Sequence, residues 1–497
     1  MIPKTICMFY GLVTLGSSMI YAVEGQPVDS LPNVILILAD DLGWNCVGYH
    51  NDEFNTPHVD SIATEGIELN SFYVAPMCSP TRAGLMTGRY PIRFGLARSV
   101  IPHYRDFGLP TSETTLPEML GKLGYDHRGI FGKWHLGHRR AKWHPLARGF
   151  THFHGHYNGS IDYFQLTREG LRDWHIGYEP SDEQGYATDL IADAAADWIG
   201  RSAQSDSPYF CYVPFNAPHS PFQVPQDAID KYGNPRNTQS RKAKDREIYK
   251  AMVGRMDEGI GRILDAVEAS GEADNTLVWF LSDNGGLRSL PRLNEPLRGA
   301  KLTVFEGGIR VPACVRWPAK INAGTRSDAM CGYIDVLPTL VSLAEGNGGQ
   351  LAVEPMDGVD LSSVLTGATK TLTNRAWFSY HGQSGEQSEH LAGIDHGWKL
   401  IVNGPRLRSV DELNDGSRAV HLFHLSNDPF EAEDIKQQHP KMVAALGQQL
   451  VDHRALQPKR SIPEYSDGNE GFVPPREWKL DPEFPNRLIG HSEESRR

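Results

Sequence analysis

Residues 33–41, NVILILADD, decide how the chain is read. An unbroken apolar run rich in β-branched residues suits a strand buried on both faces, as in a parallel sheet. This one stops on a pair of carboxylates, Asp40 and Asp41. Three later runs are built the same way. HRGIFGKWHLG ends on Lys133 and His135, PYFCYVPFNAPHSP on Asn216 and His219, and NTLVWFLSDNGG on Asp283 and Asn284. Segments with helical character lie between them: one opened by Thr56-Pro57, then 116–123, 188–199 and 248–269. Strands alternating with helices predict a doubly wound α/β fold. In such folds ligands gather at the carboxyl ends of the strands, so four loaded strand ends predict one shared site.

The chain has 497 residues, 40% apolar and 22% charged, which fits a large catalytic domain with a smaller companion. A net charge of −12 argues against a nucleic-acid binder and demands a local cationic pocket for any anionic substrate. Lys4 before an apolar run, with small residues near Ala22, reads as a signal peptide over residues 1–22. The protein is therefore expected in the periplasm or extracellular space, with no membrane span after signal removal. The catalytic domain is expected over 23–373, and a smaller subdomain and tail over 374–497. Strands are predicted at 376–380 and 398–403 and a helix at 441–453; the Pro- and charge-rich tail from Gln457 is expected to wrap the surface or stay partly loose. Without Cys7 five cysteines remain, Cys46, Cys78, Cys211, Cys314 and Cys331, and an odd number in an exported chain flags one special thiol. Cys211 reads as packing, and Cys314 with Cys331 is the available pair.

Asp40, Asp41, Asp283 and Asn284 offer only oxygen ligands, the set that hard cations prefer, whereas zinc favours His and Cys. One Asp pair after a strand is as readily a turn or helix cap; the second acidic cluster after another strand turns the reading to a metal. The segment PMCSPTRAGLMTGRYP, residues 76–91, sets Cys78 at the start of a short predicted helix, with Pro80 in its first turn and Gly88 at its end. A helix N-terminus favours an anion beside residue 78, and Arg82 one turn along can reach back to it. Lys133, His135, His219 and Lys301 complete a pocket for a compact anion such as sulfate or phosphate. Lys133 stands between a glycine and a tryptophan, unlike a solvated surface lysine.

CSPTRAGLMTGRY matches the Cys-x-Pro-x-Arg signature of type I sulfatases. NVILILADDLGW, GKWHLG, NAPHSP, LSDNGG, RGAKLTVFEGGIRVP and DVLPTL occur in that family's order. The chain thus resembles the type I, formylglycine-dependent sulfatases, strongly over 33–340 and more weakly beyond. The resemblance implies an alkaline-phosphatase-like mixed sheet sandwiched by helices, with a smaller C-terminal α+β subdomain. It implies that a formylglycine-generating maturation enzyme oxidises Cys78 to Cα-formylglycine, whose hydrate is the nucleophile. It implies Ca²⁺, in preference to Mg²⁺, held by Asp40, Asp41, Asp283, Asn284 and modified residue 78. Lys133, Lys301 and His219 would contact the sulfate, and His219 or Lys301 would protonate the leaving alcohol. Arg82 and His135 would orient the diol, and His135 would take its second proton as sulfate departs. Thr81 stands where many members have serine, and Cys46 where many have aspartate.

ARGFTHFHGHYNGSIDYF and RFGLARSVI resemble regions of arylsulfatase B-like enzymes, which are N-acetylgalactosamine-4-sulfatases, and of bacterial polysaccharide sulfatases. This implies a polysaccharide substrate with sulfated galactose or N-acetylgalactosamine, the ester at O4, attacked at a chain end. Arg98, His103, His154, His156, Asn158, Asp162 and Tyr163 are the candidates for sugar contacts; the competing reading is that half of them cap turns or face solvent. Two other functions compete. A phosphate or phosphonate ester hydrolase of the same superfamily would prefer aryl phosphate to aryl sulfate. A non-catalytic sulfated-glycan-binding protein would release no sulfate, although every expected catalytic position is filled here.

Overall fold

The computed structural model of the chain describes residues 31–480, apart from 236, 237, 239, 346–354, 373, 374 and 476. The expected signal peptide and the expected boundary at 373/374 lie outside the described residues. β1 (Asn33–Ala39) is buried along its whole length. Val34, Leu36 and Leu38 feed one core, and Ile35, Ile37 and Ala39 feed a second on the opposite face. That two-sided burial is what an unbroken apolar run requires.

The sheet continues with β2 (Ile67–Leu69), β3 (His127–Lys133), β4 (His152–His156), β5 (His175–Ile176), β6 (Glu179–Pro180), β7 (Tyr209–Pro214), β8 (Thr276–Ser282), β9 (Ala313–Arg316) and β10 (Thr325–Ser327). Their spatial order is β10-β2-β9-β8-β1-β7-β3-β4-β5-β6. The central run from β8 to β4 is parallel, and antiparallel pairs flank it, so the sheet is mixed. β1 sits between β7 and β8, so the chain turns opposite ways on its two sides there, and crevices at carboxyl ends open at such switch points.

Helices cover both faces. α1 (Pro57–Thr64), α4 (Ala187–Ser202) and α5 (Arg241–Ser270) pack Val59, Ile62, Ile191, Met252 and Ile260 into the second core. α2 (Cys78–Thr87), α3 (Leu116–Lys122) and α6 (Val336–Glu345) pack Ala83, Leu85, Met119, Leu120 and Leu337 into the first. α3 opens on a capping box between Thr115 and Glu118. α5 starts earlier than its apolar period, because its first two turns are polar and are set by Ser240, whose hydroxyl accepts from the Ala243 N–H.

The C-terminal part is an antiparallel sheet of β11 (Trp377–His381), β12 (Glu389–Asp395), β13 (Trp398–Gly404) and β14 (Ala419–His424), backed by α7 (Pro440–Ala455). Only two of its four strands carry a readable pattern; β12 and β14 are broken up by His and Gly. Trp377, Leu391, Leu400 and Leu450 join the first core, so this sheet extends the main body's core. The five described cysteines are all free and buried. Cys314 and Cys331 do not pair: the sulfur of Cys314 faces the Val59 carbonyl and that of Cys331 the Ser71 carbonyl, in separate packing environments. Among the described residues no helix is long and apolar enough to cross a membrane.

Candidate active site

Parallel pairing fixes the site. Ala39 of β1 lies opposite Ser282 of β8, so Asp40-Asp41 and Asp283-Asn284 leave neighbouring strands side by side. β7 delivers Asn216 and His219 on the other flank, and β3 delivers Lys133 and His135. Asp40, Asp41, Lys133, Asp283 and Asn284 are all fully buried. Asp41 and His135 both have positive φ, 68° and 56°, and so does Leu302 beside Lys301, at 69°. A non-glycine residue held there costs about 1–3 kcal/mol, and such strain collects at functional sites.

Cys78 is the first residue of α2, where backbone N–H groups are free of helix partners. Burial pushes its thiol up to about 12, against the pull of Lys133 and Lys301. An unmodified thiol here is therefore protonated and a poor nucleophile. The Lys301 ammonium lies 3.4 Å from its sulfur and 2.5 Å from Asp41 Oδ1. Lys133 Nζ donates to Asp40 Oδ2 at 2.5 Å. Burial works against the charge on Lys301, but the charges around it, Asp41 foremost with Asp40 and Asp283, together hold the group above its ordinary range.

Arg82 does not reach back to residue 78. Its Nε and Nη2 donate to Asp283 Oδ2 at 3.0 and 2.8 Å, its Nη1 to the Lys133 carbonyl at 2.9 Å, and Asp40 Oδ2 lies 3.8 Å away. Buried carboxylates at fixed positions attract the guanidinium more strongly than a neutral thiol does.

Several buried polar atoms here have no partner: Asp40 Oδ1, Asp41 Oδ2, Asn284 Oδ1, His135 Nδ1, His156 Nε2 and both amide atoms of Asn216. Several such atoms gathered in one place suit completion by water, an ion or a ligand. Asp40, Asp41, Cys78 and His219 each offer a donor atom, all within 4.8 Å of one another. Asn284 donates its amide N–H to Asp41 Oδ1, which turns its own oxygen out as a lone acceptor. Asp283 differs, because its Oδ1 accepts from the Asp41 N–H at 3.2 Å and its Oδ2 is taken by Arg82. Charge points the same way. Three carboxylates (Asp40, Asp41, Asp283) face three cations (Arg82, Lys133, Lys301), so a divalent ion would leave the site doubly positive, matched to an anionic ester.

The histidines are neutral. His135 is driven well below its ordinary pKa by burial, Lys133 and Arg82. Its Nε2 faces the Ile101 carbonyl at 3.0 Å and so carries the proton, which leaves Nδ1 a free acceptor. His219 is lowered to about 3 by burial, which outweighs the pull of Asp41; its Nδ1 faces the Ser220 carbonyl at 2.5 Å and its Nε2 lies 3.7 Å from Asp41.

The predicted sugar contacts divide. His156 is buried opposite Lys133 in the β3–β4 register, with Nε2 open. Asn158 is fully buried; its amide N–H donates to Asp173 at 2.8 Å and its oxygen is free. His103 is part-exposed near Glu169. Tyr163 instead donates to the Asn216 and His219 carbonyls at 2.5 and 2.8 Å, pinning the His219 loop. Asp162 caps a turn by accepting from the N–H groups of Phe164 and Gln165. His154 pairs with Glu183 at 2.6 Å and Arg98 with Glu386 at 3.1 Å. The sequence reading passed over Ser79, whose hydroxyl donates to the His135 carbonyl and accepts from the Ile101 N–H. It also passed over Asp173, which accepts from Tyr157, Asn158 and the Asn158 amide. Only the position of Ser79 inside the signature could have flagged it. Asn216 stood at a loaded strand end without a role.

The chain is similar to several known proteins. The sulfatase family model matches residues 32–346, and a model of the N-sulphoglucosamine sulphohydrolase C-terminal region matches 300–456. Mouse arylsulfatase J is 30% identical over 507 residues, covering 94% of this chain and 80% of that protein. Mouse N-acetylgalactosamine-6-sulfatase is 33% identical over 440 residues, 80% of this chain and 81% of that protein. The crystal structure of Ps i-CgsB in complex with k-i-k-neocarrahexaose superposes with a TM-score of 0.77 at 26% identity, over 88% of this chain and 96% of that one. The chain belongs to the sulfatase family, whose activity is the hydrolysis of sulfuric esters.

Proposed function

We propose that this sulfatase is exported and removes sulfate from galactose- or N-acetylgalactosamine-type units of a sulfated glycan, at a chain end, using Ca²⁺ and a formylglycine made from Cys78. One observation carries the reading: unpartnered oxygens of Asp40, Asp41 and Asn284 converge with Cys78 and Lys301 at one helix N-terminus. Arylsulfatase J and N-acetylgalactosamine-6-sulfatase support the ester class, and the carrageenan-derived ligand named for Ps i-CgsB supports a galactose-type glycan. O4 is the expected position, with O6 as its alternative because of the 6-sulfatase relatives. The catalytic part is taken as 23–373 and the remainder as 374–497, with export directed by residues 1–22 and Cys78 presented to a maturation enzyme.

Asp40, Asp41, Asn284 and residue 78 would hold the ion, with Asp283 behind them. The ion supplies positive charge that polarises the sulfate and lowers the pKa of a hydroxyl, and the hydrated aldehyde supplies that hydroxyl and a second one. Lys133 and Lys301 release Asp40 and Asp41 to face the ester oxygens. Lys301 enters protonated and stands beside neutral His219, so the pair holds a proton for the leaving oxygen. His135 enters neutral with Nδ1 open, as a base for the second hydroxyl requires. Arg82 and Ser79 position Asp283, Lys133 and His135.

The test is sulfate release by co-matured enzyme on defined oligosaccharides sulfated at O4 or O6, beside aryl sulfate and aryl phosphate. Release from one galactose-type isomer with aryl sulfate preferred supports the reading. Preference for phosphate, or no release from any sulfate, overturns it.

A further inference from the structure

We infer that the C-terminal tail builds a second sugar subsite beside the catalytic pocket, for a neighbouring unit of the same glycan; this rests on the glycan reading above. Residues 457–475 and 477–480 lie beyond both matched family regions, yet several of them are firmly seated. Ile462, Trp478 and Leu480 are buried, with Trp478 fully enclosed. Its indole N–H donates to the Arg168 carbonyl at 3.0 Å, and its own carbonyl accepts from His175. Tyr104 donates its hydroxyl to the Tyr465 carbonyl, and Arg105 pairs with Asp467 at 3.0 Å.

What this seating presents is apolar and open. Phe472 is half-buried, Tyr465 is 38% exposed, and Val473 is 73% exposed. The Phe472 ring packs edge-on against His103 at 5.4 Å and near Tyr104 at 6.1 Å, and Tyr465 packs against Tyr104 at 6.0 Å. The anchored tail thus leaves Tyr465 and Val473 in water and Phe472 partly covered, with the Arg139 guanidinium 5.6 Å from its ring centroid. Part-exposed aromatic rings with a donor beside them suit the apolar face of a sugar ring and its hydroxyls. The donors are present. Arg168 Nη2 bonds His103 Nδ1 at 2.8 Å; guanidinium only donates, so that imidazole is neutral with its proton on Nε2, which lies 3.5 Å from the part-exposed Glu169.

Two chains of contacts link the patch to the catalytic pocket. His135 Nε2 bonds the Ile101 carbonyl, two residues before His103, and His138 Nε2 bonds the His103 carbonyl at 2.9 Å. Arg168 Nη1 donates to Ser160 at 2.7 Å, and Ser160 follows Gly159, where a Cβ would fall 2.6 Å from the His135 ring. With the scissile unit of a glycan against His135, the inferred subsite takes its next unit. The occupant is an uncleaved sugar of the substrate chain.

The test removes rings and keeps the backbone bonds that seat the tail: Phe472→Ala with Tyr465→Ala. Probes are κ-carrageenan and chondroitin 6-sulfate hexasaccharides, each beside its sulfated monosaccharide, titrated calorimetrically into the enzyme with Cys78 left as thiol. At least one hexasaccharide is expected to bind wild type about tenfold more tightly than its monosaccharide and to lose most of that margin in the variant, with monosaccharide affinity held within about twofold. Hexasaccharides that bind no better than monosaccharides, or a variant that keeps the margin, overturn the subsite. A variant that weakens both probes equally also overturns it. Aryl sulfate turnover of matured wild type and variant reads the other proposal: its absence in both sinks the reaction while the binding margin still judges the subsite.

Discussion

Lys399→Met is expected to destabilise the protein by about 3–5 kcal/mol, because it breaks a buried ion triad by removing one partner. Lys399 in β13 has no exposed surface, and its Nζ lies 2.7 Å from Glu306 Oε1 and 2.8 Å from Glu431 Oε1. Glu431 Oε2 also accepts from the Glu306 N–H at 2.8 Å, and Tyr73 donates to Glu306 Oε2 at 2.9 Å. Burial raises Glu431 from its ordinary 4.5 to about 7, with Lys399 pulling down and Glu306 pushing up. Because the folded pKa is raised, the folded state binds more protons than the unfolded one between those values, and stability falls as pH rises through that window. Without Lys399 the pKa climbs further and the window extends upward. The deficit of the variant should therefore be smaller at about pH 5 than at about pH 8. The loss also reaches the site, because the triad fixes the turn Glu306–Ile309. A Cβ on Gly285, next to Asn284, would fall 1.9 Å from the Gly307 carbonyl, so that turn lies directly against the loop that carries Asp283 and Asn284. Chemical denaturation at the two pH values reads the effect, with Lys399→Arg and the charge-poor Lys399→Met/Glu431→Gln as companions. The double variant should recover part of the loss, since one stranded charge is gone. A Lys399→Met deficit under about 1 kcal/mol, or one that does not change with pH, refutes the reasoning.

Cys78→Ala should abolish sulfate release while changing unfolding by less than about 1 kcal/mol, and peptide mass spectrometry of active protein should show aldehyde in place of thiol; active protein carrying only thiol contradicts the nucleophile. His219→Ala should slow esters with poor leaving groups more than activated aryl sulfates, since the latter need less protonation, and equal slowing of both removes His219 from that role. Arg82→Met strands Asp283 in the interior and should cost about 3–5 kcal/mol with loss of turnover, Arg82→Lys recovering part of each; a stable, active Arg82→Met would show the pair to be dispensable. Chelation should lower the melting temperature and activity together, with Ca²⁺ restoring both better than Mg²⁺ at equal concentration, and no thermal response would count against a resident ion.

The strand ends were legible because burial on both faces writes itself as an unbroken apolar run, and the residue after such a run has to emerge at the sheet's carboxyl edge. Asp40, Lys133 and Asp283 needed no more than that, whereas His219 lies in the loop beyond β7 that Tyr163 pins. The supports of the site were not legible, because each is a pairing across distant segments. Lys399 and Glu431 look like surface residues until β13 carries one beneath the Glu306 turn. Asp173 has no motif of its own, and its oxygens are recruited by N–H groups of Tyr157 and Asn158.

Arg82 shows where local spacing stops deciding. One helical turn after Cys78, the side chain has the length to approach residue 78 or the sheet, and periodicity cannot rank those targets. The ranking follows from charge: Asp283 and Asp40 emerge from β8 and β1 beneath α2, both fully buried, and a buried carboxylate without a cation costs far more than a thiol without one. The guanidinium therefore goes to Asp283, and that engagement leaves Asp40 Oδ1, Asp41 Oδ2 and Asn284 Oδ1 as the open acceptors of the site. The same arginine that marks the signature in the sequence thus selects which oxygens are left to face a metal ion, as proposed above, which is why its removal should cost turnover and fold together.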